Sequence, residues 1–271
     1  MKKYNKAPLP FQGQKRNYLK IFNRELQKLC GDGTGWTIVD VFGGSGLLSH
    51  NAKYTCPNAR VIYNDYDNYT ERLSKIETAE QVRRDLLTLV NGYSIKEKLT
   101  AETREQILNY LQDKALDYLT ISSYITFSGT NILGVEDIKK IKPFYNCVSK
   151  TPLSCDGYLE GVQTVHKCFT ELMTDEFDGN VLYLLDPPYI NTQQGYRRDK
   201  SNYFGLLSQL KLLELMKPSF FYFTSNKSEI MAFVETKNKY SHLFNNCETF
   251  TTTNTVSKGF TYLDILITKT I

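Results

Sequence analysis

The sequence predicts an α/β fold with a mostly parallel sheet, helices packed against it and an antiparallel hairpin at its C-terminal end. Three observations support this class. Short apolar strands alternate with segments of helical spacing, the first strand runs into a glycine-rich turn, and helical patterns alone fill a long stretch in the middle of the chain. Hydrophobic residues make up 41% of the chain and aromatic residues 13%, which excludes a disordered protein.

The first third of the chain has the order of half a doubly wound nucleotide-binding sheet. Apolar residues at helical spacing predict a first helix that ends at the glycine-rich residues 31–35 (Tyr18, Phe22, Leu26, Leu29). Residues 36–42 then predict a buried strand that leads into Gly43-Gly44-Ser45-Gly46 and a short helix. A second strand over residues 60–63 ends at Asn64-Asp65. Half of a doubly wound sheet has this order: a strand, a glycine turn, a helix, a second strand and an acid.

The middle of the chain interrupts this alternation. Residues 69–117 show amphipathic helical patterns, and no strand is predicted before Val162. Residues 122–134 are polar, aromatic and rich in small side chains, which is typical of a loop that contacts a partner. We therefore predict a discontinuous domain made of residues 1–70 and 160–271, with residues 71–159 as an inserted, mainly helical region.

The last third resumes the α/β pattern. Residues 181–185 predict a buried strand, followed directly by Asp186-Pro187-Pro188-Tyr189. A helix over 206–216, a strand over 220–223 and a helix after Asn226 continue the alternation. The end predicts an antiparallel hairpin with strands over 244–252 and 260–268 around a polar turn at 254–258.

Charge and cysteine content narrow the functional classes. The chain has 33 Lys and Arg against 29 Asp and Glu, a formal charge of +4. Residues 1–28 hold eight of these basic residues and one acid, so the excess is concentrated there. Six cysteines without C-x-x-C spacing and only three histidines exclude a zinc finger or ribbon. The absence of a signal peptide pattern and of a long apolar stretch predicts a reduced, cytoplasmic protein without a membrane span.

Asp186-Pro187-Pro188-Tyr189 has the most specific chemistry in the sequence. As a structural element it is a rigid turn that leaves a strand. However, ligands of open α/β sheets bind at the carboxyl ends of the strands. Because the prolines prevent helix formation, the Asp186 carboxylate and the Pro187 carbonyl become rigid acceptors. They suit the two N–H groups of an aromatic amine, with Tyr189 stacked on its ring.

Three motifs resemble those of one enzyme family. Asp186-Pro187-Pro188-Tyr189 resembles motif IV of the methyltransferases that act on exocyclic amines. Residues 40–46 (DVFGGSG) resemble their motif I, D-x-F-x-G-x-G, and residues 10–15 (PFQGQK) resemble motif X, P-F-x-G-x-K. The order X, I, insertion, IV is that of the alpha group of DNA adenine N6-methyltransferases. Residues 223–226 resemble motif VI.

This resemblance implies a Rossmann-like methyltransferase sheet, S-adenosylmethionine as cofactor and double-stranded DNA as partner. It also implies that no metal is needed, and we expect a monomer. Residues 71–159 would then be the target-recognition region. The resemblance assigns the cofactor to residues in four parts of the chain (Phe11, Lys15, Asp40, Phe42, Gly44, Gly46, Asp65, Phe169).

Some of these assignments have alternatives. Asp65, at the end of the second strand, would accept the ribose hydroxyls, but Asp67 competes for the role. Lys15 is equally compatible with a solvated lysine in a basic N-terminal stretch. In the family an acid precedes the aromatic residue that corresponds to Phe169, and here that position is Cys168. The hydrogen bond to the cofactor adenine would then be lost or moved.

For DNA contact, residues 127–129 (FSG) resemble the family's F-N-G loop, which points to Ser128 and Asn131. Residues 77–160 hold ten basic and twelve acidic residues, so net charge does not draw phosphates to this segment. Arg197 and Arg198, in the loop after the catalytic turn, are the predicted phosphate contacts, with an ordinary solvated charge run as the alternative.

The leading hypothesis is transfer of a methyl group to the N6 amine of an adenine flipped out of DNA. Such an enzyme acts either alone or as the modification half of a restriction system. Methylation of an amine or amide in RNA or protein is the alternative within enzymes, since similar turns serve those substrates. A DNA-binding relative that has lost catalysis is the third hypothesis, motivated by Cys168.

Overall fold

The computed structural model describes residues 1–112, 114–127, 132, 134–190, 204–236, 238–257 and 260–270. The chain divides into two compact units. The first comprises Met1–Lys6, Gly13–Asp67 and Gly157–Ile271, and the second comprises Ala7–Gln12 and Asn68–Asp156. The short segment Ala7–Gln12, which contains the first half of the P-F-x-G-x-K pattern, therefore belongs to the second unit.

The described residues of the first unit form one seven-stranded sheet with the order β3-β2-β1-β4-β5-β7-β6. Its strands are β1 (Trp36–Asp40), β2 (Arg60–Asn64), β3 (Gln163–Val165), β4 (Asn180–Leu185), β5 (Phe220–Ser225), β6 (Glu248–Ser257) and β7 (Phe260–Lys269). Strands β1 to β5 run parallel to one another, and β7 is antiparallel to both β5 and β6. The predicted mixed sheet with a C-terminal antiparallel pair is confirmed.

A short 3₁₀ turn (Arg16–Tyr18) precedes the first of the α-helices. In chain order the helices described are α1 (Leu19–Cys30), α2 (Leu47–Thr55), α3 (Tyr69–Ser74), α4 (Ile76–Leu89), α5 (Ala101–Leu111), α6 (Tyr118–Ser122), α7 (Val135–Lys139), α8 (Phe169–Leu172), α9 (Leu206–Leu215), α10 (Ile230–Thr236) and α11 (Asn238–Phe244). Among the described residues, no helix is long and apolar enough to cross a membrane.

Both faces of the sheet are covered, because side chains alternate between the faces along each strand. Val39 and Leu185 belong to one apolar cluster, which also holds residues of α8, α9, α10 and α11. Their neighbours Ile38 and Leu184 belong to a second cluster, which holds residues of α1 and α2. Strands buried on both faces have the continuous apolar runs seen in the sequence.

The second unit has a core of its own, built mainly from α4, α5 and the segments that follow. Leu86, Ile107 and Phe144 are completely buried in it. Two residues of α3 hold the segment Ala7–Gln12 in this unit. The Tyr69 hydroxyl lies 2.9 Å from the amide nitrogen of Leu9, and Arg72 donates to the Pro10 carbonyl at 2.9 Å.

The C-terminal hairpin differs in its bounds from the prediction. Phe244, predicted as the first residue of a strand, is instead the last residue of α11. The polar residues predicted as a turn continue β6 as far as Ser257, because Asn254 pairs with Tyr262 and Thr255 with Thr261. Threonine fits a pleated strand well, so the polarity of this segment is compatible with a strand whose edge is exposed.

Candidate active site

Three carboxylates follow adjacent parallel strands at the same edge of the sheet. Asp40 ends β1, Asp65 follows β2, and Asp186 follows β4. Strand β1 lies between the other two, with Asp40 in register with Tyr63 on one side and Leu184 on the other. The fold therefore brings together three acids from distant parts of the chain, at the edge where open α/β sheets bind ligands.

The glycine turn after β1 fits closely against β2. A Cβ atom on Gly43 would lie 2.3 Å from the Tyr63 ring, so no side chain fits there. Gly46 has φ = +74°, a conformation that favours glycine, and it precedes the first residue of α2. The Tyr63 hydroxyl lies 2.7 Å from the Gly44 carbonyl and 2.9 Å from Oδ1 of Asp65. The Tyr63 hydroxyl thus lies within hydrogen-bond distance of both the turn and the acid.

Asp40 is fully buried beneath this turn. Its Oδ2 accepts a hydrogen bond from the Ser49 hydroxyl at 2.6 Å. Its Oδ1 is buried and has no hydrogen-bond partner among the described residues. Burial raises the pKa of Asp40 to about 7, and the charge of Asp186 raises it further while Lys15 opposes the shift. A buried acceptor of this kind suits an amino group brought by a ligand.

Asn64 fixes the loop beside Asp65. Its side-chain amide donates to the Val41 carbonyl at 2.9 Å and to the Lys167 carbonyl at 3.0 Å. The Lys167 amide donates in return to the Asn64 side-chain oxygen at 2.9 Å. The ends of β1 and β3 are therefore joined through one side chain, and Asp65 is buried next to it.

Asp186 is held by Lys15. The Lys15 ammonium lies 2.7 Å from Oδ2 of Asp186 and donates to the Gly13 carbonyl at 3.0 Å. It also lies 5.3 Å from the centre of the Tyr189 ring and 5.8 Å from that of Phe223. Burial raises the pKa of Asp186, and the charge of Lys15 opposes this shift. Burial likewise raises the pKa of Tyr189 well above its usual value.

An aromatic cluster adjoins the turn. The rings of Phe42 and Phe169 lie 5.5 Å apart with planes tilted by 32°, and Phe204 packs edge-on against Phe42 at 5.5 Å. The structure thus brings together two of the three phenylalanines assigned to the cofactor and adds Phe204 to them. Cys168, which stands where the family has an acid, has its sulfur 3.1 Å from the Thr170 hydroxyl.

Several other predicted site residues belong to the second unit or lie outside the described residues. Phe11 belongs to the second unit, where its ring packs edge-on against Tyr69 at 5.7 Å. The four residues assigned to DNA contact lie outside the described residues (Ser128, Asn131, Arg197, Arg198). In the part of the chain that the structure describes, no group of His, Cys, Asp and Glu could hold a metal ion.

Sequence reasoning missed several groups around the site. The sequence marks Tyr63 only as the end of a strand, and it gives no sign of a role for Ser49 or Phe204. Ser49 lies on α2 nine residues after Asp40, and Phe204 immediately precedes α9. No local pattern distinguishes them, because each acts through a contact that only the packed fold creates.

Comparison with known proteins extends over most of the chain. The D12 class N6 adenine-specific DNA methyltransferase family matches residues 11–257. A protein of Haemophilus influenzae (strain Rd) named "Putative methyltransferase" is 39% identical over 279 residues, covering 99% of this chain and 93% of that protein. "Modification methylase LlaI" of Lactococcus lactis subsp. lactis is 24% identical over 218 residues, covering 74% of this chain and 32% of that protein. The match to the family includes the glycine turn and Asp186.

Proposed function

Because the chain belongs to the D12 class N6 adenine-specific DNA methyltransferase family, we propose that it transfers a methyl group from S-adenosylmethionine to the N6 amine of adenine in a specific DNA sequence. The observation that carries this proposal is the carboxylate of Asp186. It follows β4, the neighbour of the strand that leads into the glycine turn, and is paired with the buried Lys15.

The residues present fit the cofactor. Oδ1 of Asp40, buried without a partner among the described residues, would accept from the amino group of the methionine portion. Asp65, at the end of β2, would accept from the ribose hydroxyls. Phe42 and Phe169 would pack against the adenine ring. When bound, the cofactor supplies an electrophilic methyl group on a positively charged sulfur.

The turn after β4 would bind the target base. An adenine amine is inaccessible within the duplex, so the base must leave the stack. The Asp186 carboxylate and the Pro187 carbonyl would accept its two N–H groups, and Tyr189 would stack on its ring. Lys15 binds Oδ2 of Asp186, and Oδ1 would accept from the amine. Holding the nitrogen toward the methyl group supplies the positioning on which this reaction depends.

Duplex DNA is the partner that we propose. Residues 71–159 would recognise the target, with Ser128 and Asn131 among the contacts, and Arg197 and Arg198 would bind phosphates. We propose that the protein acts as a cytoplasmic monomer without a metal ion.

The test measures incorporation of label from methyl-labelled S-adenosylmethionine into unmethylated DNA and into RNA of equal length. Wild-type protein is compared with Asp186→Asn and with Asp178→Asn, an exposed aspartate just before the other end of the same strand. We expect label in DNA from wild type and Asp178→Asn, and at least about a hundredfold less from Asp186→Asn. Equal label with Asp186→Asn would contradict the catalytic assignment. Label in RNA alone would show that RNA, and not DNA, is the substrate.

A further inference from the structure

The glycine turn has a second tyrosine contact, from a segment that none of the motifs includes. The Tyr158 hydroxyl donates to the Ser45 carbonyl at 2.8 Å, and both residues are buried. The side chain of the next residue, Leu159, covers Gly46, where an added Cβ would lie 2.9 Å from Leu159 Cδ2. Two consecutive carbonyls of the turn, those of Gly44 and Ser45, are thus each in contact with a tyrosine hydroxyl.

The same segment is anchored to the helix that follows the turn. The Tyr158 ring stacks on His50 of α2, with centroids 4.9 Å apart and planes inclined by 21°. The Leu159 amide donates to Nδ1 of His50 at 3.4 Å. The His50 amide in turn donates to the Gly46 carbonyl at 2.8 Å. Tyr158 and Leu159 therefore contact both the turn and the start of α2.

Leu159 adopts an unfavourable backbone conformation to make this contact. Its φ is +59°, in the left-handed region where a side chain with a Cβ is disfavoured. Strain of this kind persists where surrounding contacts require it, and it is concentrated at functional sites.

We propose that Tyr158 and Leu159 are positioning residues that hold the Gly43–Gly46 turn in the conformation that receives the cofactor. This inference rests on the proposed function and deepens it. The Ser45 carbonyl and the Gly46 amide belong to one planar peptide, and that amide donates to the Gly43 carbonyl at 2.7 Å. Without the Tyr158 hydroxyl the buried Ser45 carbonyl loses its donor. Rotation of the peptide toward another donor would then break the hydrogen bond that closes the turn.

The test is cofactor binding by the full chain, measured by calorimetry, together with the KM for S-adenosylmethionine and kcat. Tyr158→Phe removes the hydroxyl and keeps the ring on His50. We expect its Kd and its KM for the cofactor to rise about fivefold to tenfold, with kcat at saturating cofactor within about twofold of wild type. The matched control is Tyr240→Phe on α11. The Tyr240 hydroxyl donates to Glu214 at 3.3 Å, and its removal should leave Kd, KM and kcat unchanged.

Leu159→Gly separates positioning from stability. Glycine accepts φ = +59° without strain, so the melting temperature should stay within a few degrees of that of wild type. The contact with Gly46 is lost, and cofactor affinity should fall about threefold or more. Wild-type binding with unchanged Kd in both variants would overturn the inference alone. If wild type binds no S-adenosylmethionine, the proposed function fails and the inference fails with it.

Discussion

In the first unit Asp40 and Asp186 lie at the carboxyl ends of two adjacent strands, with the buried Lys15 paired to Asp186, whereas charged groups of the second unit are paired with one another. Asp40 keeps one buried oxygen without a partner among the described residues, and burial raises its pKa to about 7. Arg83 of the second unit donates twice to Glu80, at 2.7 Å each, and once to the Ser149 carbonyl at 2.7 Å.

Asp117, a buried acid of the second unit, is also well paired. Arg72 lies 3.1 Å from its Oδ2 through Nη2 and donates to both of its oxygens through Nε at 3.2 Å. Burial of a charge is thus common to both units and does not by itself mark a site. Asp40 differs in that its Oδ1 has no partner among the described residues, and a buried acceptor of this kind suits a ligand that completes it.

The largest expected difference concerns catalysis. Asp186→Asn removes the charge that would hold the amine, so kcat should fall at least about a hundredfold, while circular dichroism shows a folded protein. Asp117→Asn, the corresponding change in the second unit, should leave kcat within about twofold. An equal loss of kcat in both variants would remove the distinction between the two units.

The second prediction concerns stability, for which the larger effect is expected in the second unit. Asp117→Asn leaves Arg72 half-buried without its counter-charge, so the free energy of unfolding should fall by about 3 kcal/mol. Urea denaturation measures this change. Glu71→Gln removes an exposed partner of Lys75 on α3 and should cost less than about 0.5 kcal/mol. Equal effects of the two substitutions would show that the Asp117 pair contributes no more than a surface pair.

Lys15 is expected to set the pH range of the reaction. Its positive charge lowers the pKa values of Asp40 and Asp186 against the effect of burial. In Lys15→Met both carboxyls should therefore protonate at higher pH, and the acidic limb of the kcat profile should move up by about one pH unit. Lys20→Met, an exposed lysine on α1, serves as the control. An unmoved limb would show that Lys15 does not act on the titrating group.

The smallest predicted effect is the pH dependence of cofactor affinity. Folding raises the pKa of Asp40 from 3.8 to about 7. The protonated carboxyl therefore stabilises the folded protein fully below pH 4, and this stabilisation is lost as the pH rises through 7. A bound amino group favours the ionised carboxylate, so affinity should increase about fivefold between pH 6 and pH 8. In Asp40→Asn this increase should disappear. If the variant keeps the wild-type pH dependence, Asp40 does not bind the amino group.

The strands, the glycine turn and the catalytic turn were predictable from the sequence. Apolar runs and glycine or proline turns are local features, and the carboxyl ends of parallel strands meet at one edge of a sheet. The sequence therefore predicts that Asp40, Asp65 and Asp186 lie near one another. The start and the length of β6 differ from the prediction, because polar threonines suit either a turn or an exposed strand.

The pairings around the site depended on the tertiary structure. Lys15 and Asp186 are 171 positions apart, and the hydroxyl of Tyr158 reaches a carbonyl 113 positions away. Likewise, the hydrogen bonds of Tyr69 and Arg72 hold Ala7–Gln12 in the second unit, whereas the sequence pattern predicts this segment within residues 1–70 of the other domain. Hydrogen bonds and ion pairs act over a few ångströms, and only the packing of distant segments determines which groups come that close.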